Sequence, residues 1–167
     1  AAFPIAVAGQ VRGAFNLYAD RRDYFDTAEL DLLDQLASDI GFTLGSIESE
    51  MARETLGRRL IDLLETMSDG FVSLGRDWHY QYVNRQAAAQ LGRTPADLLG
   101  RHIWTEFPGE VGYAFHQACE RAMREGVAVR FEDYYLPTQR WFENRIFPTQ
   151  DGISVFFSDI TDHKEAQ

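Results

Sequence analysis

Apolar and polar positions divide the chain into three stretches of different period. The first, "FPIAVAGQVRGAFNLYADRRDYFD", alternates apolar and polar residues with glycines between. It predicts two strands, Ile5–Ala8 and Val11–Tyr18, joined by a Gly9-Gln10 turn. Two strands alone are marginal in water, so this hairpin needs a surface to lean on. From Asp26 to about Met67 there is no proline, and the period becomes that of a helix. Asp26 or Thr27 suits the N-cap, with acidic residues following in the first turn. Leu33, Ala37, Ile40, Leu44, Ile47 and Met51 are spaced 4, 3, 4, 3, 4, a heptad seam held for about five turns. The phase slips across Glu54 to Arg58 and resumes as Leu56, Leu60, Leu63 and Met67. Gly41, Gly45 and Gly57 each cost a helix about 1 kcal/mol against alanine. The helix therefore needs a partner, either a second copy of itself or its own domain.

The third stretch, Ser68 to Asp162, mixes short strands and short helices. "GFVSLGRDWHYQYVN" gives two strands around a Gly75–Asp77 turn. "RQAAAQLG", "TPADLLG" and "RHIWTEFP" are helical pieces ending at glycine or proline, and "GYAFHQACERAMREG" is a longer helix closed by Gly126. Three strands follow: Val127–Leu136, Arg140–Phe147 and Ile153–Ile160. Strands joined by short turns, with helices between the second and third, predict an α+β module. Its five-stranded antiparallel sheet carries the helices on one face.

Alternation within the late strands singles out a site. Val129, Phe131, Asp133 and Tyr135 share one face; Arg130, Glu132 and Tyr134 share the other. In the next strand Phe142, Asn144 and Ile146 oppose Trp141, Glu143, Arg145 and Phe147. With the charges outward, Asp133 and Asn144 point into the module. A polar group facing a core needs a partner or costs a few kcal/mol. Either both side chains bond nearby backbone, or they are handles in a ligand cavity lined also by Phe131, Phe142, Trp104, Phe115 and His116. The outer face carries Trp141, Phe147, Tyr134 and Phe156 among its charges. That patch calls for a cover, from the segment Leu56 to Met67 or from a partner chain.

Composition narrows the function classes. Of 167 residues, 45% are apolar and 13% aromatic, enough for a packed core. A net charge of −10 without a basic patch argues against nucleic acid and anionic lipid. No apolar run approaches the roughly 20 residues of a membrane span, and no signal peptide opens the chain, so a cytoplasmic location is expected. One cysteine, Cys119, excludes an internal disulfide and a cysteine-based zinc site. No phosphate-binding glycine loop, metal-ligand cluster or triad stands out, so no catalytic or metal residue is assigned.

The strand and helix order, with "SDGFVSL", "YVNRQAAAQLGRTPADLLGRHIWTEFP" and "RWFENRIFPTQDGISVFFSDITDHKEAQ", resembles the PAS sensor family over about 95 residues. Asn84, the "LG…P.DLLG" rhythm and the triplet Asp159-Ile160-Thr161 carry the likeness most strongly. In that family the triplet closes the last strand and starts a helix towards an output domain, which implies signal-relay roles for Asp159 and Thr161. "PIAVAGQVRGAFNLYADRRDYFDTAELDLLDQLASDIGFTL" is similar to the end of a second sensor family, GAF. The expected organisation is a GAF-like tail at 1–50, a coiled-coil connector at 51–67, a PAS domain at 68–162, and an output linker from 163. The resemblance implies a non-catalytic sensory segment of a bacterial signal-transduction protein, first of all a histidine kinase. A diguanylate cyclase or phosphatase with the same front end, or a ligand-free dimerisation spacer, is the alternative. No cofactor is named. The reactive cysteine of flavin PAS domains is missing from "RHIWTEFP", and only His116 offers itself to haem, while Cys119 reads as a core residue. His79, His102 and His163 fall at turns or helix starts and are expected in solvent. Relay between domains further implies a parallel homodimer along the Leu33–Met51 seam.

Overall fold

Residues 1–166 are described in a computed structural model, in which the chain divides into two units, Ala1–Leu60 and a second beginning at Ile61. In the first unit β1 (Ala2–Val7) and β2 (Gln10–Asn16) form an antiparallel hairpin. Ala8 and Gly9 both take positive φ, 50° and 78°. That is the two-residue geometry matching strand twist. The turn thus sits one residue before the expected Gly9-Gln10, because glycine is spent on its second position. Helix α1 (Thr27–Thr66) runs 40 residues. Its start is a reciprocal cap, with the Glu29 N–H donating to Asp26 Oδ1 at 2.8 Å and the Asp26 N–H to Glu29 Oε2 at 2.9 Å.

Two of the three glycines of α1, Gly41 and Gly45, have a packing reason, while a Cβ on Gly57 would meet open space. A Cβ on Gly41 would lie 2.2 Å from the Ala6 carbonyl oxygen, and one on Gly45 would lie 3.3 Å from Val7 Cγ1. With Ala37, which is fully buried, they make a smooth strip on which β1 lies. Part of the expected dimer seam is therefore taken up inside the unit: Ala37 is covered, and Leu33 and Ile40 are half-buried. Leu44, Ile47 and Met51 remain exposed.

The second unit carries a five-stranded antiparallel sheet in the order β4-β3-β7-β6-β5. The strands are β3 (Gly70–Gly75), β4 (Tyr80–Val83), β5 (Val129–Tyr135), β6 (Arg140–Pro148) and β7 (Gly152–Asp159). Between β4 and β5 lie α2 (Arg85–Gln90), α3 (Pro95–Leu98), α4 (Ile103–Glu106), a 3-10 turn at Pro108–Glu110, and α5 (Ala114–Glu125). Thr94 and Asp97 form a capping box ahead of Pro95, and Gly126 ends α5 at φ 66°. The helices pack one sheet face, burying Leu74, Leu98, Cys119, Ile146, Ile153 and Val155 completely. A short α6 (Thr161–Glu165) follows β7. The opposite face is less covered than expected. Tyr134 and Phe147 stay exposed, because within this unit α1 ends against β4 and α2 through Glu65.

Candidate functional site

The inward positions of β5 and β6 meet the helices around a cavity of about 80 Å³. A single water needs about 10–15 Å³, so this space admits a small molecule. Asp133 and Tyr135 enter from β5, Phe142 and Asn144 from β6, and Phe157 from β7. Trp104, Phe107, Glu110 and Phe115 close it from the helical side. Strand pairing sets Asp133 opposite Phe142 and Phe131 opposite Asn144, so the two polar side chains are diagonal neighbours on the inner face.

The polar groups are unevenly satisfied. Asp133 Oδ1 accepts the Tyr134 N–H at 2.9 Å, which leaves Oδ2 without a bond. Asn144 is only 6% exposed, and its amide pairs with no other described group. The Trp104 indole N–H is also buried without a partner among the described residues. Burial, and then the nearby Asp133 carboxylate, raise the pKa of Glu110. Burial followed by Glu110 raises that of Tyr135. The site is thus an aromatic chamber with two acidic groups and an amide of unused hydrogen-bonding capacity.

Two clamps join this module to the helices at its ends. At the entry Asn84 is fully buried. Its Oδ1 accepts the N–H groups of Phe71 (2.9 Å) and Ala87 (2.8 Å), while Nδ2 donates to the carbonyls of Leu64 (2.7 Å) and Asp69 (3.1 Å). One side chain thereby caps α2 and holds the last turn of α1. Beside it Glu65 accepts the Tyr82 hydroxyl at 2.6 Å and the Arg85 N–H at 3.1 Å. Burial and that carboxylate push the Tyr82 phenol up to about 12. At the exit Asp159 Oδ1 accepts the Thr161 N–H at 3.0 Å and its hydroxyl at 2.6 Å, and Oδ2 binds Arg140. Burial opposes ionisation of Asp159, but these donors hold its carboxyl below the usual range. Thr161 Oγ1 in turn accepts the Trp141 N–H at 3.0 Å. Lys164 reaches Glu132 and lies 5.4 Å from the centre of the Trp141 ring.

Of the expected lining, Asp133, Asn144, Phe142, Trp104 and Phe115 come together around the cavity. Phe131 packs on the core without lining it. His116 is also displaced. Its ring stands edge-on to Trp104 at 4.6 Å, accepts the Gly112 N–H at 3.3 Å, and lies behind the cavity wall. His102 is half-buried and stacks edge-to-face on His79 at 5.2 Å, the His79 side chain stays 45% exposed, and His163 is exposed. Glu110, Phe107 and Tyr80 escaped the sequence reading. Tyr135, on the inner face by alternation, also lines the cavity. No helix among the described residues is long and apolar enough to cross a membrane, and no group of three metal-ligating side chains gathers there.

Comparison with known proteins adds to this geometry. A family model described as PAS fold matches residues 64–165, and a GAF domain model matches residues 1–44. No curated protein matches the chain. Among solved structures, the photoactive yellow protein domain of the sensor histidine kinase Ppr from Rhodospirillum centenum is 20% identical, with TM-score 0.51. That alignment covers 59% of this chain and 91% of that one. A PAS domain of a Colwellia psychrerythraea protein is 14% identical, with TM-score 0.51, covering 65% and 98%. A domain of an HTR-like protein from Haloarcula marismortui is 27% identical, with TM-score 0.49, covering 57% and 100%.

Proposed function

The chain belongs to the PAS fold family over residues 64–165, and on that premise we propose that it is the sensory input segment of a signal-transduction protein, with the cavity beneath the helices as its ligand site. The observation that carries this reading is Asn144. Its amide has no partner among the described residues and lies on the cavity wall, where a polar ligand group would satisfy it. The clamps supply the relay: ligand contact with β5 and β6 biases Asp159 and Thr161 at the exit, and Asn84 at the entry, between two arrangements of the flanking helices. We place the parent among sensor histidine kinases, as is the parent of the Rhodospirillum centenum domain of the same fold, acting in the cytoplasm. The exposed Leu44, Ile47 and Met51 fit a parallel homodimer along α1. The organisation that goes with this reading is a GAF-like tail, a connector helix, the PAS domain and an output linker.

A ligand-free spacer is the second reading, favoured by the backbone bond that Asp133 already makes to Tyr134. Mass spectrometry of freshly purified protein, native and then denatured, separates the two. A stoichiometric small molecule released on denaturation supports the sensory reading. If none is retained and no ligand shifts the melting temperature across a metabolite panel, the spacer reading stands.

A further inference from the structure

The wall of the cavity has a charge sign. Glu110 and Asp133 both line it, and among the described residues no lysine or arginine does. The nearby cation, Arg93, is held by Glu106 at 3.4 Å and lies 5.9 Å from the centre of the Phe107 ring, outside the lining. Independently of the carboxylates, Asn144, 6% exposed and lining the cavity, has an amide with no partner among the described residues. The remaining wall is largely aromatic, including Trp104, Phe107, Phe115 and Phe142. An anionic ligand would meet two carboxylates and no counter-charge. A primary ammonium brings three N–H donors. Three of the lining side chains carry acceptors for them: Glu110, Asp133, whose Oδ2 has no bond among the described residues, and Asn144. Aromatic faces attract the same charge.

We propose that this cavity takes a small organic cation, a primary amine on an apolar body, with the ammonium held by Glu110, Asp133 and Asn144 and the body enclosed by the aromatic wall. The proposal rests on the reading of the cavity as the ligand site, and it names the ligand class that reading leaves open.

The test titrates the purified chain at neutral pH with three probes of similar size and different charge: 2-phenylethylamine, 2-phenylethanol and phenylacetate. Calorimetry and tryptophan fluorescence report binding. The amine is expected to bind at least about tenfold tighter than the alcohol, with phenylacetate weakest. Glu110→Gln and Asp133→Asn should each lower amine affinity and leave the alcohol unchanged. If Asp133→Asn fails to fold, Glu110→Gln, on a half-buried turn, carries the test alone. Alcohol or phenylacetate binding as tightly as the amine overturns the cation assignment and leaves the ligand site standing. An amine preference that survives both substitutions also overturns it. Failure of all three probes to bind overturns the cation assignment, while the ligand-site reading is decided separately by the retained-ligand mass spectrometry and the metabolite panel.

Discussion

Replacing Asn84 should separate the fold of the sheet module from its attachment to α1. In Asn84→Ala the cap on α2 is lost, at about 1 kcal/mol. The N–H of Phe71 is left without that partner in a buried position, and the carbonyls of Leu64 and Asp69 in part-buried ones. Each such group costs about 1–3 kcal/mol before relaxation and water entry. A total loss of about 3–5 kcal/mol is expected, a large share of the stability of a domain this size. Asn84→Asp is the more informative variant. The carboxylate keeps both accepted bonds, including the cap, but cannot donate, and it sets an anion against the carbonyls of Leu64 and Asp69. It should cost about 2–4 kcal/mol. Its effect should concentrate where α1 meets β3. Urea unfolding followed by circular dichroism gives the magnitude, and hydrogen exchange over residues 61–71 gives the place. A loss below about 1 kcal/mol in the alanine variant, or wild-type exchange in the aspartate variant, would refute the clamp.

Gly41→Ala gains about 1 kcal/mol of helix propensity yet should free the hairpin to proteolysis, since the new Cβ would sit 2.2 Å from the Ala6 carbonyl oxygen; unchanged protease resistance would count against that packing. Leu44→Asp with Ile47→Asp should turn a dimer into a monomer in light scattering while far-UV circular dichroism is kept, and a monomeric wild type at micromolar concentration removes the seam. Glu110 holds its proton more tightly folded than unfolded, so its contribution is lost as pH rises from the ordinary 4.5 through the raised value. Glu110→Gln should therefore be more stable than wild type at pH 7 and equal to it below pH 4.5, and urea midpoints at both pH values decide this. Asp159 titrates in the opposite sense. Its stabilisation is present above the ordinary 3.8 and fades as pH falls through the lowered value. Asp159→Ala should cost about 1–2 kcal/mol at pH 7 and fray α6, with the gap to wild type closing in acid; a gap that persists there would mean the carboxylate is not its source.

Strand alternation made the inner face of β5 and β6 readable in advance. A period of two admits only one inward set, so Asp133, Phe142 and Asn144 followed once the charges were turned to solvent. The helical side of the site was less legible. Glu110 stands in a Pro-Gly-Glu turn with no period to place it, and it reaches Asp133 only because α4 and α5 fold back over the sheet. His116 lies on the same helix as Phe115, but adjacent residues on a helix face about 100° apart. Hence Phe115 lines the cavity and His116 turns behind Trp104. Gly41 and Gly45 read as a penalty because their benefit is a contact with Ala6 and Val7, far away along the chain. Propensity is local, and that contact is not.

Consider finally Glu132 beside Asp133, and Trp141 beside Phe142. The first of each pair holds α6 through Lys164 and Thr161, and the second lines the cavity. At these two points β5 and β6 form a partition one peptide thick between the chamber and the latch. Consecutive Cα atoms stand about 3.8 Å apart across a rigid peptide. A ligand that tilts Asp133 or Phe142 therefore turns the plane on which Glu132 or Trp141 sits. The chamber and the contacts that hold α6 are thus separated by one peptide unit rather than by the width of the domain.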